Sequence, residues 1–256
     1  MGQRGALGVC RSGLNALLSV TLAPRCAACE AVLDMPLAGP VCDTCWSQVR
    51  ILGAPLCRTC GDPLPSWRVI SRALERCPRC RRSRSLITTV RSAGAYQGAL
   101  RAILHAFKYE GRRTLADPCA AMMRTAGVDI LADAPCAVPV PLHPWRRLRR
   151  GFNQSDDLAR RLGVPTLRAL QRVRATAPQT GLNAAARRRN VRHAFQISPL
   201  PLLERHHWFV EDRIVVLVDD VRTTGATLEA CAEALIGAGA REVRALTLAS
   251  AAPPHR

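Results

Sequence analysis

From residue 86 onward, apolar and polar positions follow two alternating patterns along the chain. Short apolar runs predict four strands, at residues 87–95, 136–140, 214–218 and 243–248. Stretches with helical spacing of apolar residues predict three helices, at residues 98–109, 155–162 and 227–236. Alternating strands and helices are typical of a mostly parallel sheet covered by helices on both faces. The sequence therefore predicts an α/β domain over residues 85–256.

The preceding segment lacks long periodic runs and is rich in cysteine. Eight of the twelve cysteines form four Cys-x-x-Cys pairs: Cys26/Cys29, Cys42/Cys45, Cys57/Cys60 and Cys77/Cys80. Two intervening residues let both sulfurs face one point, as a tetrahedral zinc site requires, and four pairs make two sites. We expect a small double zinc ribbon over residues 26–84 with two structural zinc ions, which supply much of its stability.

The spacing leaves the pairing of these knuckles open, because sequential and interleaved schemes both satisfy it. Disulfides and iron–sulfur clusters are the competing interpretations of the same cysteines. The other cysteines, Cys10, Cys119, Cys136 and Cys231, stand alone in the sequence and are interpreted as small core or surface residues.

Residues 1–25 form a leader segment with a short apolar stretch. Gly13 and Asn15 interrupt that stretch, which favours a helix packed on the body over a cleaved signal peptide. No apolar run approaches the roughly 18 residues of a membrane span. We therefore expect a cytoplasmic protein.

The formal net charge is +18, which indicates phosphate-bearing partners or a solvated basic surface. Lys108 is the only lysine among 37 basic residues. The cationic segment 174–195 has three interpretations: a hood over the active site, a nucleic-acid contact, or a solvated helix face. Trp46 and Trp67 either stack on bases or pack a minimal core.

The strongest local signal follows the predicted strand at 214–218. Asp219 and Asp220 come directly after four apolar residues, and residues 223–227 then turn into a helix. A helix N-terminus presents unpaired amides and a partial positive charge, which bind phosphate. Adjacent carboxylates accept hydrogen bonds from sugar hydroxyls. The pattern predicts a site for a ribose 5-phosphate.

Three further stretches fit the same site. His143 lies in the run Val-Pro-Leu-His-Pro after a predicted strand, where it contacts diphosphate or sits in a turn. Arg150 is the first residue of the run Arg-Gly-Phe-Asn-Gln. This run either binds phosphate or forms the turn and N-cap of the next helix. Lys108 ends a predicted helix, where it contacts diphosphate or complements the helix dipole. The role of His105, on the same helix, stays open.

The segment 215–227 resembles the phosphoribosyl diphosphate signature of type I phosphoribosyltransferases. The chain resembles the ComF family, named from competence proteins needed for DNA uptake. The resemblance lies in the order of the knuckles, the His105–Tyr109 segment, the His143 and Arg150 runs, the Arg187–Asn190 region and the 219–227 motif. This resemblance covers about residues 20–250 and implies a type I phosphoribosyltransferase fold behind a double zinc ribbon. Arg222 departs from the apolar residue usual in the family.

The resemblance implies a division of roles. By that resemblance Asp219 and Asp220 hold the ribose hydroxyls. The positive charges of Lys108 and Arg150 suit them, apart from the resemblance, to stabilise the departing diphosphate. The 5-phosphate is bound by the turn that consists of Thr223, Thr224, Gly225, Ala226 and Thr227.

The expected function is binding of phosphoribosyl diphosphate, with Mg²⁺ bridging the diphosphate, in a protein associated with DNA uptake in natural transformation. A glycosyl transfer reaction is favoured, although no residue identifies an acceptor. One alternative is a non-catalytic adaptor that binds single-stranded nucleic acid, with single-stranded DNA and DNA-uptake proteins as its partners. The other alternative is a regulator that senses the metabolite without turnover.

Overall fold

The computed structural model describes residues 14–19, 21–64, 75–173, 194–198 and 210–251. The chain divides into two compact units. The first combines residues 1–50 with 97–115, and the second combines 51–96 with 116–256. Residues 14–19 are helical, as expected for a leader helix. The domain boundaries inferred from the sequence stay a prediction.

The described regular elements alternate in the order expected of an α/β protein. The helices are α1 Asp43–Ser47, α2 Pro78–Arg82, α3 Gly98–Tyr109, α4 Ala116–Ala126, α5 Val128–Leu131, α6 Pro144–Arg150, α7 Gln154–Ala159 and α8 Ala226–Gly237. The strands are β1 Ile87–Ala95, β2 Cys136–Pro139, β3 Leu170–Arg172, β4 Phe195–Ile197, β5 Ile214–Arg222 and β6 Glu242–Ser250. None of these described helices is both long and apolar enough to cross a membrane.

The second unit contains a parallel four-stranded sheet in the order β1-β6-β5-β2. Val138 of β2 pairs with Leu217 of β5, and Val218 of β5 pairs with Leu246 of β6. A separate antiparallel pair joins β3 to β4. The four strands and three helices expected from the sequence are present, although β5 extends four residues beyond the predicted end.

Helices cover both faces of this sheet, which explains the continuous apolar run in β5. Val215 and Leu217 belong to one core cluster together with Leu228 and Cys231 of α8. Val216 and Val218 point to the opposite face, since alternate strand residues do, and α7 and α4 pack on that side of the sheet. All four of these β5 residues are fully buried. Burial of each such side chain stabilises the fold by roughly 1.5–3 kcal/mol.

Helix α6 was not expected from the sequence. None of its residues is buried, so it has no apolar periodicity to reveal it. Local signals define it instead: His143 is the N-cap, Pro144 occupies the first turn, and Gly151 ends the helix with a φ of 76°. The predicted proline-rich turn is therefore the start of a basic helix.

Candidate functional site

The cysteines form two quartets, and each contains neighbouring pairs in sequence order. The first quartet is Cys26, Cys29, Cys42 and Cys45; the second quartet is Cys57, Cys60, Cys77 and Cys80. Within each quartet the sulfurs lie within 4.8 Å of one another. The interleaved pairing is thereby excluded, and none of the eleven cysteines in the described part of the chain forms a disulfide.

The sulfur positions fit a tetrahedral metal. Four sulfurs about 2.3 Å from a zinc ion lie about 3.8 Å from each other. The Sγ atoms of Cys29 and Cys42 are 3.8 Å apart, and those of Cys60 and Cys77 are 3.6 Å apart. The donor set and its spacing suit zinc in both quartets.

Backbone amides favour the thiolate form of one cysteine in each quartet, Cys26 in the first and Cys57 in the second. The N–H of Cys42 donates to Sγ of Cys26 at 3.4 Å, and the N–H of Cys77 donates to Sγ of Cys57 at 3.3 Å. Burial raises the pKa of Cys26, but these backbone hydrogen bonds outweigh it and lower the pKa to about 6. A hydrogen bond from Cys60, helped by backbone N–H groups, lowers the pKa of Cys57 to about 4.

The two quartets differ in exposure. All four cysteines of the second quartet are buried, whereas Cys29 of the first quartet is exposed and Cys42 is half-buried. Solvent and competing ligands therefore reach the first quartet more easily.

The segment predicted to bind a ribose phosphate lies at the carboxyl end of β5. Strand β2 ends at Pro139, opposite Val218, so Asp219 and Asp220 extend past the end of that neighbouring strand. Both carboxylates are half-buried. The chain then turns through Thr223 and enters α8 at Ala226.

Gly225 makes this turn with a φ of 81°, as the N-cap of α8. A Cβ built on Gly225 would meet nothing within 4 Å. The backbone angle, rather than lack of space within the protein, therefore explains glycine at this position. The amide of Ala226 lies 3.4 Å from the hydroxyl oxygen of Thr224, which it donates to.

The start of α7 contacts Asp219 directly. Ser155 donates its hydroxyl to Oδ1 of Asp219 at 3.0 Å. Asn153 caps α7 by accepting from the Ser155 amide at 3.2 Å, and its Nδ2 donates to the Val140 carbonyl at 3.0 Å. These bonds hold the end of β2 and the beginning of α7 next to the carboxylates.

Arg150 belongs to the same segment. Its Nη1 donates to Oε1 of Gln154 at 3.1 Å, one residue before Ser155. The structure thus brings Arg150 to the part of the chain that contacts Asp219. Its expected role with diphosphate stays a prediction.

Arg172 is a buried cation near Asp219 that sequence reasoning missed. Its guanidinium carbon lies 5.3 Å from the centre of the Phe195 ring. Burial lowers the pKa of Arg172 and the charge of Arg146 lowers it further, whereas Asp219 acts in the opposite direction. Arg172 occupies a three-residue strand, which is too short to give a sequence pattern.

The structure explains Arg222, the departure from the family pattern. Its side chain is 3% exposed and is paired with Asp62, which is also 3% exposed. Its Nη2 also donates to Oγ of Ser250 at 2.8 Å. Arg79 donates to the other oxygen of Asp62 at 2.9 Å. An apolar residue at position 222 would remove one of the two arginines that pair with the Asp62 carboxylate in the described contacts.

The remaining predicted residues lie on other elements of the chain. Lys108 lies in the last turn of α3, in the first unit, and its diphosphate contact stays a prediction. His105, on the same helix, contacts the Tyr109 ring at 4.9 Å between centroids. His143 caps α6, accepting from the Trp145 amide at 3.4 Å. Trp67 and residues 174–193 lie outside the described residues.

The two tryptophans in the described part of the chain differ in exposure. Trp46, a candidate for base stacking, is half-buried. Trp145 on α6 is 74% exposed, and the neighbouring Leu148 is 78% exposed. Arginines occupy positions 146, 147, 149 and 150 of the same helix. Helix α6 therefore presents an exposed aromatic side chain with adjacent cations.

A cavity of about 650 Å³ lies behind the turn. Cys60, Arg79 and Cys80 line one part, and Thr224 and Gly225 line another. Neither Asp219 nor Asp220 lines it. This cavity separates the second quartet from the turn and is not the predicted ribose site.

Comparison with known proteins is consistent with this geometry. The double zinc ribbon domain matches residues 17–81, and the phosphoribosyl transferase domain matches residues 148–255. Competence protein F of Haemophilus influenzae is 31% identical over 89% of this chain and 97% of its own length. DNA utilization protein YhgH of Escherichia coli K12 is 34% identical over 82% of this chain and 91% of its own. Competence protein ComFC of Bacillus subtilis is 27% identical over 81% and 83% of the two chains.

Proposed function

Since this chain belongs to the ComF family, with a double zinc ribbon followed by a phosphoribosyltransferase domain, we propose that it binds 5-phosphoribosyl diphosphate. The ligand carries Mg²⁺ on its diphosphate. The proposed site is the segment from Asp219 to Thr227. Relatives named for competence and DNA utilization support a role associated with DNA uptake.

The observation that carries this proposal is the arrangement at the end of β5. Asp219 and Asp220 extend past β2, and the following turn enters the 12-residue helix α8 through Gly225. A helix N-terminus attracts phosphate through its amides and dipole. Carboxylates beside it suit the 2- and 3-hydroxyls of a ribose. One ligand that offers both groups at this spacing is a ribose 5-phosphate.

The proposed reaction is cleavage of the bond between C1 of the ribose and the diphosphate oxygen, with the electron pair leaving on diphosphate. The acceptor nucleophile forms the new bond at C1. Asp219 and Asp220 hold the ribose, with Asp219 oriented by the Ser155 hydroxyl at 3.0 Å. Arg150 and Lys108 are assigned to the departing negative charge.

Zinc is assigned a structural role in both quartets. Four thiolates fill a tetrahedral site and leave no position for a substrate. Metal binding is then part of the folding free energy of the ribbon. Thiol quartets also suit a reducing compartment, which is why we place the protein in the cytoplasm.

Titration calorimetry with magnesium phosphoribosyl diphosphate tests the site. We expect saturable binding by the zinc-loaded protein and its loss in Asp219→Ala/Asp220→Ala. The control is Asp129→Ala/Asp133→Ala, which removes two carboxylates that pair with Arg91 and Arg244 away from the turn. Equal binding by both double variants would place the ligand elsewhere. Binding without diphosphate release in the presence of candidate acceptors would indicate a sensor rather than a transferase.

Single-stranded DNA binding is the second candidate function, and α6 supports it. The helix combines the exposed Trp145 with four arginines, and such surfaces stack bases and neutralise phosphates. Affinity for a labelled oligonucleotide should fall steeply as salt rises. A flat salt response would count against an electrostatic DNA contact.

A further inference from the structure

We propose that Asp62 and Arg222 are positioning residues, through which metal in the second quartet holds the 219–227 segment in its binding conformation. The inference rests on the proposed function for the identity of the ligand. It adds a dependence of that site on one of the two quartets. The residues that carry it all belong to the second unit.

Asp62 is part of the second quartet's own framework. It follows Cys60 by two residues, and its backbone carbonyl accepts from the Cys57 amide at 2.8 Å. Its carboxylate accepts from Arg79, which lies between Cys77 and Cys80. Asp62 therefore contacts both knuckles, and its position depends on the quartet.

Arg222 is the corresponding residue of the phosphoribosyl segment. It is the last residue of β5, directly before Thr223. Its carbonyl accepts from the Ala251 amide at 2.8 Å, and its side chain bonds Ser250 and Asp62. Because Thr223 follows Arg222 directly, the position of Arg222 determines the position of the first residue of the turn.

Two sets of described contacts join the region of the second quartet to the region of the turn. Asp62 pairs with Arg222, and Ser85 and Leu86, which follow α2, donate to the Glu229 carboxylate of α8. The 650 Å³ cavity separates Cys60 and Cys80 from Thr224 and Gly225. The knuckle is packed instead against β1, where a Cβ on Gly61 would lie 2.4 Å from the Val90 carbonyl oxygen. Strand β6 lies between β1 and β5 in the sheet. Among the described residues, the Asp62–Arg222 pair joins the second quartet's knuckle to β5 itself.

The energetics make this contact sensitive to the metal. Asp62 and Arg222 are both almost fully buried, and a buried charge that loses its partner is strongly destabilising. A four-cysteine knuckle without metal loses its fold, so Asp62 leaves its place. Arg222 must then move toward solvent, which shifts Thr223 and the turn. Coupling between two sites is reciprocal, so the ligand also strengthens retention of this zinc by the same factor.

The first test compares the quartets in the full-length protein. Cys60→Ser/Cys80→Ser disrupts the second quartet, and Cys29→Ser/Cys45→Ser is the matched change in the first. Calorimetry gives the dissociation constant for magnesium phosphoribosyl diphosphate, and hydrogen exchange reports the order of residues 219–227. We expect at least tenfold weaker binding and faster 219–227 exchange in the second-quartet variant. We expect unchanged 219–227 exchange in the first-quartet variant, whose cysteines belong to the same unit as Lys108.

The second test keeps both zinc ions and removes only the link. Asp62→Leu/Arg222→Met replaces the buried pair with apolar side chains of similar volume, a change that buried ion pairs often tolerate. Arg244→Met, which removes an Arg–Asp pair from β6, is the control. We expect two zinc ions per chain in both proteins, with weaker ligand binding and faster 219–227 exchange only in the double variant.

The outcomes separate this inference from the proposed function. Wild-type ligand affinity and exchange retained in the Asp62→Leu/Arg222→Met protein would overturn the coupling while the ligand assignment stands. If the wild type does not bind phosphoribosyl diphosphate, the proposed function fails. In that case hydrogen exchange of residues 219–227 tests the coupling by itself. Faster exchange confined to the second-quartet variant and to Asp62→Leu/Arg222→Met supports the coupling, and unchanged exchange in both overturns it.

Discussion

Replacing Gly225 separates two reasons for a glycine in the phosphoribosyl turn. The residue has a φ of 81°, and a Cβ there meets no protein atom within 4 Å. An L-residue in this left-handed region destabilises the folded state by roughly 1–2 kcal/mol. Alanine also lowers the conformational entropy of the unfolded chain, which offsets about 0.4–1 kcal/mol of that cost. We therefore expect Gly225→Ala to lower the free energy of unfolding by about 1 kcal/mol. Gly225→Asn should cost less, because Asn tolerates this region.

Urea unfolding followed by fluorescence measures these differences. Gly237→Ala is the control, since Gly237 lies at the end of the same helix α8 without a positive φ and also has open space around its Cβ. There alanine should stabilise by about 0.5–1 kcal/mol. An unfolding free energy of Gly225→Ala equal to that of the wild type would refute the argument from φ.

Ligand affinity distinguishes the two reasons further. If the backbone angle alone matters, affinity for phosphoribosyl diphosphate falls in the order Gly225, Asn, Ala. If phosphate approaches the Gly225 backbone closely, any side chain blocks it, and both variants lose binding alike.

Further predictions concern acid stability, metal release and nucleic-acid binding. Burial raises the pKa of Asp156, but Arg168, with two hydrogen bonds of 2.8 Å, and Arg160 lower it more. The ionised Asp156 carboxylate therefore stabilises the folded protein above the ordinary Asp pKa of about 3.9, and this stabilisation is lost as pH falls through the lowered pKa. Urea unfolding should therefore give Asp156→Asn a smaller free energy of unfolding than the wild type at neutral pH, and nearly the same value only in acid. Zinc release to a chelator should be biphasic, and Cys29→Ser should remove the fast phase; loss of the slow phase would contradict the exposure argument. Trp145→Ala should weaken single-stranded DNA binding by about 5- to 100-fold, as expected for one stacked base, whereas Trp46→Ala should not; equal losses in a fluorescence anisotropy titration would exclude α6 as the stacking surface.

Much of the second unit follows from local patterns. The runs at 87–95 and 214–218 are apolar because their strands are buried, and the structure has strands β1 and β5 there. Helix α6 escaped this reasoning because it is exposed, so only its caps define it. The end of β5 was placed four residues early because Asp219 and Asp220 are polar, although backbone pairing with β6 continues to Arg222.

In the candidate site, too, features encoded by neighbouring residues were predicted, and features that depend on distant contacts were not. The order of Asp219, Asp220 and the Thr-Thr-Gly turn predicted a ribose phosphate site because strand end, turn and helix start are contiguous in sequence. The proximity of Ser155 to Asp219 spans 64 residues, and the sequence offered only the nearby Arg150 run as a signal. Arg172 had no signal, since its burial depends on contacts outside its own strand.

The sequence by itself determined the two sets of Cys-x-x-Cys knuckles, the strand and helix order, and the turn at 223–227, because each depends on residues close together in the chain. Only the tertiary structure decided how the knuckles pair, that Trp145 rather than Trp46 is exposed, and why Arg222 is not apolar. The Arg222–Asp62 pair joins residues 160 positions apart. Two buried charges of opposite sign must meet, and their meeting place is set by how the second quartet packs on the sheet, which no local pattern encodes.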